Sequence, residues 1–103
     1  MIFKQTISIF MATMITVQFP TASANPQKIF QGNFTLATFS VIPSAGAIYT
    51  LFTSIDANGE LVADPVYNNY TFPSQDIITQ PGSLYILVIN AGVSGITVQY
   101  KTF

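Results

Sequence analysis

Residues 83–89 read Ser83-Leu84-Tyr85-Ile86-Leu87-Val88-Ile89, an unbroken apolar run after a serine. The run is short, and its β-branched and aromatic content is that of a strand rather than a helix. Strand alternation sends Leu84, Ile86 and Val88 to one face and Tyr85, Leu87 and Ile89 to the other. Neither set is polar, so the run predicts a strand at the centre of a sheet with both faces covered. Gln80-Pro81-Gly82 precedes it, in the order favoured by a type II turn. Asn90-Ala91-Gly92-Val93-Ser94-Gly95 follows and leads to a last strand, Ile96 to Phe103. There Ile96, Val98 and Tyr100 point inward, while Thr97, Gln99 and Lys101 point outward.

Working back from this run, every segment after Ala24 reads as strand or turn. Asp76 to Thr79 is a short strand, and residues 68–73 form a looser segment. Leu61 to Tyr67 is a strand that Pro65 confines to an edge or ends early. Asn58-Gly59 is the strongest short hairpin signal, because a type I′ turn needs positive φ at both central positions. Ala47 to Ile55 puts Tyr49, Leu51 and Ile55 on one face, and Pro43-Ser44-Ala45-Gly46 makes the turn before it. In Ile29 to Val41 the alternation changes phase. A bend near Ala37-Thr38 brings Phe34, Leu36, Phe39 and Val41 to the core, as when one strand serves two sheets. The fold class is therefore all-β: a small antiparallel β-sandwich or jelly roll of about six to eight short strands.

Ahead of this domain lies a hydrophobic segment with the grammar of an export signal. Lys4 is followed by an apolar stretch from Ile7 to Phe19 and then by Pro20-Thr21-Ala22-Ser23-Ala24. A charged start, an apolar middle and a small-x-small end predict cleavage after Ala24. Residues 1–24 are then a signal peptide, and residues 25–103 a secreted domain. The competing reading is a retained anchor. Gln5, Thr6, Ser8, Thr13, Thr16 and Gln18 interrupt it, and it is short of the roughly 20 residues that a helical span needs. No stable membrane span is expected after processing.

Charge and composition exclude several functions. Only 7% of residues are charged, against about 25% in ordinary domains. Beyond Ala24, Lys28 and Lys101 face Asp56, Glu60, Asp64 and Asp76. No basic patch exists for nucleic acid. A weakly charged surface packs against a second copy with little desolvation of ions. The chain has no cysteine and no histidine. Ser–His and Cys–His nucleophiles are thus absent, as are the usual zinc ligands. Lys28 and Lys101 have no sequence context for a Ser–Lys pair, and two of the four acids would have to flank a cleft to hydrolyse a glycoside. An outer-membrane barrel strand ending at Phe103 fails on phase, since Gln99 and Lys101 share its face. No enzymatic function and no cofactor are expected.

Three binding readings stand beside their plain alternatives. Tyr67, Asn69 and Tyr70 suit a carbohydrate, through stacking and amide hydrogen bonds, but tyrosines on a sandwich mostly pack their rings. Asp56, Asn58, Glu60 and Asp64 offer oxygen ligands for a structural calcium ion. Leu61 stands where an EF-hand loop has glycine, and the alternative is a hairpin turn with solvated acids. Asn33-Phe34-Thr35 and Asn69-Tyr70-Thr71 are glycosylation sequons on a eukaryotic secretory route, with Asn69 the better acceptor and Asn33 at a strand start.

Residues 39–41, 45–51 and 55–62, together with Gln80-Pro81-Gly82-Ser83-Leu84-Tyr85-Ile86-Leu87-Val88, Gly92 and residues 94–98, resemble the bacterial pre-peptidase C-terminal type of β-sandwich. The resemblance spans about residues 34 to 100. It implies a small jelly roll of the kind appended to secreted hydrolases, with roles in surface or substrate attachment and in secretion. The expectation is a secreted, structural or adhesive protein at the cell surface or in a matrix or filament. It would pair with itself or another extracellular protein through the strands at 29–41 and 96–103. The alternative is a carbohydrate- or surface-binding accessory module.

Overall fold

A computed structural model describes residues 13–32, 34, 36–54, 60–78 and 82–103. Its strands are β1 (Ile15–Phe19), β2 (Gln27–Gly32), β3 (Ala37–Pro43), β4 (Ile48–Ser54), β5 (Leu61–Ala63), β6 (Ser74–Ile78), β7 (Gly82–Asn90) and β8 (Ile96–Thr102). They form two four-stranded sheets, ordered β1-β8-β3-β6 and β2-β7-β4-β5. All pairings are antiparallel. Apart from β4 and β5, successive strands lie in opposite sheets, which is the interleaving of a jelly roll.

The sequence alternation explains the core. Leu84, Ile86 and Val88 of β7 are buried against Tyr49 and Leu51 of β4, and Val41, Ile96 and Val98 close the layer from the first sheet. Tyr100 adds a ring 4.9 Å from that of Phe30. Pro65 and its neighbours do end a strand early, for β5 stops at Ala63 on the sheet edge. The Asn58-Gly59 turn and Ile55 lie outside the described residues. The flanking β4 and β5 nevertheless pair with Ser54 opposite Leu61.

Three expectations are corrected. Residues 29–41 are not one bent strand. The chain leaves the second sheet after Gly32 and enters the first at Ala37. The phase change marks a crossing between sheets, with Phe34 packed on the core on the way. The β7 strand is central, but its faces differ. Tyr85 and Leu87 are half-buried and Ile89 is 42% exposed. Finally, residues 96–103 offer no free edge. β8 is flanked by β1 on one side and β3 on the other.

The first strand falls within the residues that carry the export pattern. Ile15 pairs with Tyr100, Val17 with Val98 and Phe19 with Ile96. Phe19 is buried in the core. Beyond it, the Ser23 amide donates to the Val88 carbonyl at 3.0 Å, and the Val88 amide donates to Ser23 Oγ at 3.4 Å. A cut after Ala24 would therefore separate β1 from β2.

Candidate functional site

Residues 64–73 leave β5 and run beside β4 before joining β6. Asp64 starts the segment, its carboxylate accepting from the Val66 amide at 2.8 Å and the Tyr67 amide at 3.3 Å. The Leu51 amide donates to the Tyr67 carbonyl, and Tyr49 and Tyr70 exchange both main-chain bonds. The Thr50 hydroxyl donates to the Asn68 side-chain oxygen and accepts from the Asn69 amide. Asn69 holds φ at +50°, a region that its short polar side chain tolerates.

This geometry uses the tyrosines for packing. Tyr70 stands edge-on to Tyr49, Tyr67 and Phe72, with ring centroids 6.0, 5.2 and 5.9 Å apart. Tyr67 and Tyr70 are half-buried against the core, while the side chain of Asn69 is exposed. Tyr67 and Tyr70 thus meet each other edge to face, with Asn69 exposed between them in sequence. Of the two sequon asparagines, Asn69 is exposed and Asn33 lies outside the described residues.

The hub of the cluster is Tyr49, a fully buried residue. Its hydroxyl lies 2.8 Å from both the Phe72 carbonyl oxygen and Ser74 Oγ. A phenol has one proton, so it donates to the carbonyl and receives the Ser74 hydroxyl. Burial pushes the Tyr49 pKa up to about 12, against the lowering effect of the Ser74 bond. The Tyr67 hydroxyl donates to Asp76 at 3.2 Å. Its pKa is also raised, first by burial and then by the Asp76 charge. Sequence reasoning placed Tyr49 on the core face but missed its role. The available signal was the hydroxyl itself, which needs a partner once the ring is buried.

The acidic loop is only partly described. Asp56 and Asn58 lie outside the described residues, Glu60 is exposed, and Asp64 is engaged in its turn. Among the described residues no group of three His, Cys, Asp or Glu side chains converges as metal ligands. Nor does any buried side-chain nitrogen or oxygen there lack a hydrogen-bond partner.

The remaining surfaces are the two outer sheet faces. On the first sheet a groove of about 580 Å³ is lined by Met14, Ser40, Gln75, Ile77, Gln99 and Lys101, among others. On the second sheet, Lys28, Tyr85, Phe52 and Ala63 stand in one cross-strand row. One face is thus grooved and mixed in character, with Met14, Ile77 and Phe103 beside its polar side chains, and the other carries apolar residues next to Lys28.

No family model and no curated protein matches this chain. Among solved structures, a chain of the Bacillus endospore appendages, a family of disulfide-linked pili, is similar at 14% identity. The match covers 90% of this chain and 91% of that one, with a TM-score of 0.43. The present chain has no cysteine with which to form a disulfide.

Proposed function

We propose that this chain is a non-enzymatic structural β-sandwich that self-associates at the cell surface or in an extracellular matrix or filament. The observation that carries this reading is the outer face of the second sheet. β7 is apolar on both sides, and the described residues cover one of them fully and the other in part. Tyr85, Leu87 and Phe52 remain half-buried there, with Ile89 exposed at the rim. A second copy laid on that face would remove apolar area from water at about 25 cal/mol per Å². It would also desolvate few ions, since the chain has three cations and four anions in all. The export-like pattern of the N-terminal residues supports a place outside the cytoplasm. The absence of histidine and cysteine supports a role without nucleophilic chemistry.

Light scattering over a range of concentrations tests the reading. The expected mass rises above that of one chain, and Tyr85→Lys lowers it. A mass that stays at one chain throughout would remove the proposal.

A further inference from the structure

Among the described residues the sandwich has four outer strands, and they differ in how they are protected. An unpaired strand edge is a template for another chain, and proteins blunt it with charge, proline, bulges or shortness. β5 is three residues long and ends at Asp64-Pro65. β2 carries Lys28 and a register shift between Lys28 and Phe30. β6 follows Pro73 and holds Asp76, whose carboxylate occupies the Ile77 amide at 2.8 Å. β1 is blunted only by Pro20, which follows it. Its sequence Ile15-Thr16-Val17-Gln18-Phe19 has no charge and no proline, and its five pairs with β8 run without a shift. Ile15 is 44% exposed and Met14 beside it 52%.

We infer that β1 is an assembly edge, and that its occupant is β1 of a second copy, running antiparallel about a two-fold axis. This rests on the self-association reading and adds to it a second contact, separate from the outer face of the second sheet. The three protected edges are poor partners, which leaves another β1 as the matching strand. A two-fold contact needs a patch that complements itself. With the axis at Val17, Ile15 lies opposite Phe19 and Thr16 opposite Gln18. These are β-branched, aromatic and uncharged pairs of the kind that stabilise antiparallel ladders. The two first sheets then join into one continuous sheet across the dimer. The contact requires β1 to be retained. A routing role for residues 1–12 is compatible with that, and a cut after Ala24 is not.

The test uses the chain with Tyr85→Lys, which removes the contact through the second sheet, and a variant that adds Thr16→Lys and Gln18→Lys, both at exposed positions of β1. The variant sets lysines opposite lysines across the axis. The Tyr85→Lys chain is expected as a dimer by light scattering, with an N-terminus upstream of Ile15. The variant is expected as a monomer with its thermal unfolding cooperative. Dimers that persist in a folded variant would overturn the β1 contact and leave self-association standing through another surface. Assemblies larger than a dimer that dissolve in the variant would put β1 against a different edge and overturn the two-fold pairing. Assembly by a Tyr85→Lys chain that starts at Asn25 would overturn it too. A monomeric Tyr85→Lys chain would overturn this inference alone, and a monomeric unsubstituted chain would overturn the reading beneath it as well.

Discussion

β1 and residues 64–73 each flank a sheet, and they do so by opposite means. β1 adds a regular main-chain ladder to β8 but buries only Phe19 among its five side chains. Residues 64–73 add few ladder bonds to β4 and instead wedge Tyr67, Tyr70 and Phe72 against one another and Tyr49. Main-chain pairing tolerates many sequences and leaves a fresh edge behind it. Side-chain packing depends on particular residues and leaves no ladder for the next strand. The difference teaches which side of the molecule can be extended.

The largest expected effect comes from breaking the support of β1. Gly95 sits at φ +87°, and a Cβ there would lie 2.8 Å from the Phe19 carbonyl oxygen and 2.9 Å from Pro20 Cα. Both obstacles are main chain, so neither can swing away. Gly95→Val combines this clash with left-handed strain. It is expected to cost more than about 3 kcal/mol, read as a drop of at least about 10 °C in Tm. A loss below about 1 kcal/mol would mean that β1 is free to shift, and the contrast between the two regions would widen.

The tyrosine side is broken by pH. The Tyr49 value is pushed up to about 12 from an ordinary 10 by burial. The folded state therefore holds that proton more tightly than the unfolded chain. Its contribution is fully present below pH 10 and is lost as pH rises toward 12. Two units correspond to about 3 kcal/mol as an upper bound. Denaturant unfolding from pH 8 to 12 should show this decline. Tyr49→Phe should flatten most of it, at a cost of about 1–2 kcal/mol near neutrality from the Ser74 and Phe72 partners left behind. β1 itself holds no titratable side chain. A decline of equal size in the Phe variant would assign the alkaline sensitivity elsewhere.

The same contrast explains what was legible in the sequence. Alternation at Tyr49, Leu51, Ile96 and Val98 marked the core, because one buried face imposes a period of two, while the unbroken run at 84–89 marked a central strand without choosing its core face. Pro65 marked the end of β5 through its missing amide. Residues 15–19 were obscured because one string fits two patterns. Ile15, Val17 and Phe19 alternate with Thr16 and Gln18 as a strand does, yet the same apolar stretch satisfies an export signal. Composition could not separate them; the pairing with β8 comes from residues about 80 positions away. At the candidate site, Tyr67, Asn69 and Tyr70 stood out as a loop cluster. Their use in packing depends on Tyr49 and Ser74, whose approach is a tertiary event without a local signal. The half-covered face of β7 was missed for a related reason. An apolar run states that both faces prefer cover, and not whether the same chain provides it.

The smallest effect sharpens the contrast most finely. The Tyr67 hydroxyl reaches Asp76 at 3.2 Å in an exposed position, tying the 64–73 segment to β6. If side-chain packing closes this flank, the ring contact with Tyr70 at 5.2 Å carries the stability and the hydroxyl adds little. Exposed polar ties compete with water and are screened by salt. Tyr67→Phe is therefore expected to change unfolding free energy by no more than about 0.5 kcal/mol, whereas Tyr67→Ala, which removes the ring, costs several times as much. Urea denaturation of the two variants in parallel decides it. Equal losses would place the closure in the polar tie rather than in the aromatic stack. The 64–73 segment would then resemble β1 in depending on hydrogen bonds, and the distinction between an extendable flank and a sealed one would fall.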